Sequence, residues 1–132
     1  MPAAQIRNYW RDVKEHLEPA IDLSNGRWTE SYVLAGLVLN EQNLWVIVDN
    51  QQDIVGAVTT EIVSYPEKRA LAMHFLGGHD FDLFYPELFT ALTNFAKETN
   101  CAVIETNARF GFWKWFKDSG FTRPSAFYEL CL

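Results

Sequence analysis

LWVIVDNQQDIVGAVTTEIV, residues 44–63, places two runs of apolar and β-branched residues on either side of the polar turn DNQQD. Such side chains pack well on a pleated surface, and the turn between them is short and polar. The stretch therefore predicts two antiparallel strands, Leu44 to Val48 and Ile54 to Val63. SYPEKR, Ser64 to Arg69, supplies a second turn, and Ala70 to Leu76 a third strand. Simple alternation along that strand sends Leu71, Met73 and Phe75 to one side and Ala70, Ala72 and His74 to the other.

Working outward from the hairpin, Ile6, Tyr9, Trp10, Val13 and Leu17 follow helical spacing, with charged residues between them, so the chain opens with an amphipathic helix that Pro19 closes. SNGR, Ser24 to Arg27, is a turn. Thr29 is a good N-cap for a second helix carrying Tyr32, Val33 and Leu37. On the other side of the strands, Leu88, Leu92 and Phe95 mark a long helix ended by KETN. CAVIET, Cys101 to Thr106, reads as a short strand, and Phe112 to Ser119 as a compact helix stopped by Gly120. Ala126 to Leu132 reads as a final strand. Antiparallel strands followed by alternating helix and strand predict one α/β domain over residues 1–132, a mostly antiparallel mixed sheet with helices on both faces.

The composition narrows the function. The chain has 132 residues, of which 48% are hydrophobic and 21% charged, values that suit one ordinary core and exclude disorder. No apolar run reaches membrane-spanning length, and MPAAQIRNYWRDVKEH lacks the pattern of a secretory signal, so a cytoplasmic protein is expected. With 17 acidic against 11 basic residues, the net charge is −6, and no basic cluster exceeds Lys68 and Arg69, which argues against a nucleic-acid partner. Cys101 and Cys131 read as two buried reduced thiols. The three histidines and two cysteines have no ligand-like spacing, so no metal is expected.

The hairpin with its Gly56, the element order, and the ending NARFGFWKWFKDSGF with Gly120 and Phe121 together resemble the GNAT acyltransferase superfamily, over about two thirds of the chain, Leu44 to Leu132. The chain is also similar to small GNAT-like proteins encoded in tailed-phage genomes. The resemblance implies an acyl-CoA site where the strand of Ala70 to Leu76 splays from that of Cys101 to Thr106. Pantetheine would pair with backbone groups near Met73 to Leu76, Met73 and Phe75 among them, pyrophosphate would sit on the amides of Gly77 to Asp82, beginning with Gly77 and Gly78, and Asn107 would lie near the coenzyme. The last strand would lie beside Cys101 to Thr106, bringing Cys101 near Cys131.

Three features depart from the family pattern. The loop reads GGHDFD, Gly77 to Asp82, with no Lys or Arg between Arg69 and Lys97. A helix N-terminus favours an exposed anion by only about 0.3 to 1 kcal/mol. Two like charges about 6 Å apart repel by roughly 3 kcal/mol at an effective dielectric near 20, so the aspartates must turn away if phosphate is to sit there. The plainer reading makes Asp82 a helix cap, with Pro86 in the first turn. Phe116 stands where many family members have a tyrosine that protonates the departing thiolate, and the family's usual first strand is missing.

For the acceptor's proton, Glu61 is the first candidate base, because a carboxylate within an apolar strand is pushed toward a useful pKa by burial. Its plainer reading is an outward, solvated residue. His74 ranks second, and Tyr65 and Tyr128 are candidate proton donors. Trp115, flanked by Lys114 and Lys117, and Phe110 are candidate exposed anchors for a protein partner. Two functional readings result: an N-acyltransferase using acetyl-CoA, with a degenerate coenzyme loop, or a catalytically silent GNAT-like domain without cofactor, serving as a structural or protein-interaction component of a phage particle.

Overall fold

The computed structural model describes residues 1–107 and 112–132. Its elements run α1 (Ala3–Asp22), α2 (Glu30–Val38), β1 (Asn43–Val48), β2 (Ile54–Ser64), β3 (Arg69–Gly78), α3 (Phe81–Glu98), β4 (Val103–Thr106) and α4 (Trp113–Asp118). The sheet has the order β1-β2-β3-β4. The first three strands are antiparallel, and β4 joins β3 in parallel. A parallel neighbour requires a crossover, and α3 provides it.

Each face of the sheet carries its own core. On one side Ile6, Trp10, Val13 and Leu17 of α1 and Val33 and Leu37 of α2 pack against Leu44, Ala57 and Phe75. On the other, Phe84, Tyr85, Leu88, Leu92 and Ala96 of α3 and Phe116 of α4 pack against Val58, Leu71, Met73 and Leu76. Leu17 and Leu92 are essentially inaccessible to solvent. Side chains of this size contribute about 1.5–3 kcal/mol each when fully buried, which is what keeps the helices on the sheet.

Local signals explain the element ends. The Thr29 side chain accepts a hydrogen bond from the Tyr32 amide, as its position before α2 predicts. Gly120 has a φ of 96° just past α4, in the left-handed region. Pro19, in contrast, does not close α1, which continues to Asp22. Proline removes only its own amide near the helix end, and the buried Ile21 keeps the last turn against the core.

Two expectations fail at the strands. The β2–β3 register pairs Thr59 with Phe75 but Thr60 with Met73, leaving His74 as an extra, unpaired residue in a bulge. A bulge interrupts alternation, so Phe75 turns to the α1–α2 side while Met73 and Leu76 face α3. Residues 126–132 form no strand. Their side chains dock instead on the α1–α2 turn, where Asn25 and Arg27 donate to the Glu129 carboxylate and the Arg27 guanidinium lies over Phe127. Cys131 is consequently exposed and Cys101 half-buried, and both are free thiols.

Candidate active site

The bulge creates the main chemical feature. His74 Nε2 lies 2.8 Å from Glu61 Oε1, joining the two base candidates into one pair. Glu61 sits opposite Ala72 in the register, so its side chain rises on the face that also carries Trp28 and Phe75. Glu61 is 38% exposed at its side chain and His74 24%, so the pair borders solvent and Glu61 is not the deeply buried carboxylate expected. Trp28 packs on both His74 and Phe75, with ring centroids 5.7 Å from each. Ser24 steadies this indole by accepting from the Trp28 amide.

β3 continues for five residues past the end of its pairing with β4. Pairing ends at Met73 with Thr106, whose hydroxyl donates to the Met73 carbonyl at 3.1 Å. From His74 to Gly78, β3 has no paired strand on its outer side among the described residues. The Phe75 amide donates to Thr59 and the His79 amide to the Val55 carbonyl, so both face β2. Alternation then turns Gly77 toward β2 and leaves the backbone groups of Leu76 and Gly78 on the open edge. Of the residues expected to contact the coenzyme, Gly78 lies squarely on that edge. Leu76, at the end of the span expected to receive pantetheine, shares it. Asn107 is exposed just beyond β4.

The two glycines of the loop have structural partners of their own. A Cβ on Gly77 would lie 1.8 Å from the His16 carbonyl oxygen, because α1 crosses directly over this point. Gly78 has a φ of 155°, and a Cβ there would lie 2.6 Å from the Val55 carbonyl oxygen. Their presence is thus accounted for by close backbone approach, with no phosphate needed. His16 was not foreseen as a functional or structural centre, although it lies next to the apolar stripe of α1. It is buried, donates through Nε2 to the Ile54 carbonyl and meets the exposed His79 ring edge-on.

Asp82 is not the cap of α3. The N-cap position belongs to Asp80, in the left-handed conformation and without a side-chain cap bond. Asp82 instead accepts a 2.6 Å hydrogen bond from Trp115 Nε1. Trp115 is half-buried, also covered by Lys114 and packed on Phe81. Phe110 lies outside the described residues. Phe81 turns into an aromatic cluster with Phe84, Tyr85, Phe112 and Trp115. Burial raises the Tyr85 phenol above its ordinary pKa, and its hydroxyl meets Ser119 at the end of α4.

Tyr65 and Glu105 form a second polar pair on the Glu61 side of the sheet. The Tyr65 hydroxyl donates to Glu105 Oε1, and this bond holds the phenol pKa above its usual value. Tyr128, the other candidate donor, is 88% exposed on the tail.

Solved structures share this architecture. A ribosomal-protein-alanine N-acetyltransferase from Brucella melitensis biovar Abortus 2308 superimposes with a TM-score of 0.71 at 13% identity, over 100% of this chain and 96% of its own. A putative acetyl transferase from Pyrococcus furiosus gives 0.71 at 17% identity, over 96% of both chains. The fold is that of the GNAT acetyltransferases. A predicted acetyltransferase from Clostridium acetobutylicum with acetyl-CoA matches at a TM-score of 0.62 and 20% identity, over 77% of this chain and 71% of its own. No protein-family model and no curated protein sequence matches the chain. Among the described residues, no helix is long and apolar enough to cross a membrane.

Proposed function

We propose that the chain is an acyl-CoA-dependent N-acyltransferase that moves an acetyl group to an amine, with His74 and Glu61 as its base pair. The observation that carries this reading is the β3 bulge, which sets His74 against Glu61 at 2.8 Å, at the point where β3 leaves β4. Because Nε2 donates to the carboxylate, Nδ1 keeps the lone pair that takes a proton from the acceptor ammonium. Glu61 fixes that tautomer and stabilises the imidazolium that results.

The open backbone edge at Leu76 and Gly78 fits an extended pantetheine arm, and the first turn of α3 lies at the far end of the same strand. Acetyl-CoA, when bound, would supply the acyl thioester whose C–S bond is exchanged for an amide C–N bond, the coenzyme leaving as the free thiol with the second proton lost by the acceptor nitrogen. The loop lacks a cation for the pyrophosphate, although Asp82 is drawn aside by Trp115. Weak coenzyme binding is the expected consequence.

Acetyl-CoA titrated into the folded protein by calorimetry tests the reading. Binding in the high micromolar range is expected, and His74→Ala should abolish acetyl transfer while leaving that binding in place. No heat at millimolar coenzyme would refute it. The alternative, a silent GNAT-like domain with a structural or protein-binding role in a phage particle, is favoured by Asp80 at the loop and by glycines already committed to packing.

A further inference from the structure

β1 is an outer strand of the sheet, and its sequence does nothing to protect that edge. The Met1 ammonium donates to the Leu44 carbonyl at 2.7 Å, so this carbonyl points away from β2. Ladder alternation puts the backbone groups of Val46 and Val48 on the same outer side, where no further strand pairs among the described residues. Folded proteins blunt such edges with lysine, proline or a bulge, because an open row of N–H and C=O groups templates another strand. NLWVIV, Asn43–Val48, has no charge and no proline, and its one register shift comes after Ile47. Beside the edge, α1 and the β1–β2 hairpin enclose a groove of about 630 Å³. Tyr9, Asp12 and Glu15 line it from α1, Val46 and Val48 from β1, and Asp53 from the turn. The lining has three carboxylates and no Lys or Arg, and none of the three is ion-paired with Lys or Arg among the described residues.

We propose that β1 takes up an extended peptide segment of another protein as an added antiparallel strand, one that carries Lys or Arg at alternate positions. Directly opposed residues share a face, so the added side chains opposite Val46 and Val48 rise into the groove, about 7 Å apart. There their charges meet Asp12, Glu15 and Asp53, and Tyr9 lies against their alkyl stems. The backbone bonds to Val46 and Val48 supply affinity, and the carboxylates select the partner. A second copy of this chain fits the edge poorly. Pairing β1 with its own copy would bring two sets of the same three carboxylates together, and like charges oppose that approach. The surface uses neither Glu61 nor His74, so it is independent of the acyltransferase reading.

The probe is a short blocked peptide alternating lysine and valine, titrated into the full chain and followed by amide NMR spectra. The Val46 and Val48 amide signals should shift and their exchange with solvent should slow, and the affinity should fall as salt is added. Replacing both Asp12→Asn and Asp53→Asn, which are exposed, should weaken binding about fivefold. Val46→Pro removes an N–H that faces outward and so costs the sheet no bond; the folded variant should not bind the peptide. Equal affinity for the same peptide with glutamate in place of lysine would overturn the proposal. So would binding that survives methylation of the peptide's amide nitrogens, binding that leaves the Val46 and Val48 signals unmoved, no binding at millimolar peptide, or a dimer of the chain paired through β1.

Discussion

Replacing Gly77 with alanine is the sharpest probe of how α1 sits on the sheet. The new Cβ would lie 1.8 Å from the His16 carbonyl oxygen and 2.9 Å from its carbonyl carbon. An ordinary contact between a carbon and an oxygen is a little over 3 Å, so one backbone must retreat by about 1.5 Å. Neither yields easily. His16 lies in a helix anchored by Val13 and Leu17, both fully buried, and Gly77 in a strand paired with Ala57. Overpacking by one methyl typically costs about 1–3 kcal/mol, and a clash between two backbones belongs at or above the top of that range. For a domain of this size a loss of about 3 kcal/mol lowers Tm by roughly 10 °C. Urea unfolding measures it directly, as a lower midpoint at constant slope. Gly120→Ala is the control, since its Cβ meets nothing within 4 Å and only the φ of 96° is strained, at a cost of about 1 kcal/mol. A Gly77→Ala protein as stable as wild type would refute the close approach of α1, and with it the account of why this glycine is there.

Further outcomes follow from the loop and the tail. Asp80→Asn should tighten acetyl-CoA binding about threefold, since an exposed like charge about 6 Å from a phosphate costs roughly 0.7 kcal/mol in water; weaker binding would show that Asp80 helps the site. Glu129 is held below its ordinary carboxylate pKa by the hydrogen bonds from Arg27 and Asn25. A lowered folded-state pKa means that this attachment contributes fully above the ordinary value of 4.5 and is lost as pH falls through the lowered one. The Arg27 side-chain NMR signals should therefore titrate with a midpoint below 4.5, and a midpoint at the ordinary value would count against the docked tail.

What could be read from the chain was what neighbouring residues encode. The hairpin of residues 44–63, the cap at Thr29 and the helix stop at Gly120 each depend on a few adjacent positions, and each is where it was expected. The bulge at His74 depends on which β2 residue lies opposite, so plain alternation placed Phe75 on the wrong face. Gly77 looked like a phosphate glycine because its reason for being glycine, the His16 carbonyl, is about sixty residues away in the chain. Asp82 looked like a cap because its partner, Trp115, is equally invisible to local reasoning. The tail has the alternation of a strand, yet Glu129 and Phe127 find partners on the α1–α2 turn. Glu61 and His74 were both singled out from residue type, but their contact required the sheet.

The bulge makes the chemistry of this face a matter of parity. On either side of His74 the β2 and β3 partners are already matched, Thr59 with Phe75 and Thr60 with Met73, so only the extra residue has no counterpart. Deleting it would let the strand close into plain alternation with little disturbance to either core, while Glu61 would be left without its imidazole. A single in-frame codon loss could thus separate the Glu61–His74 pair of this sheet from its ability to fold, and a single insertion at the same place could restore it. Chains that keep the architecture but differ in length by one residue here would be expected to differ in whether a histidine stands against the carboxylate of β2.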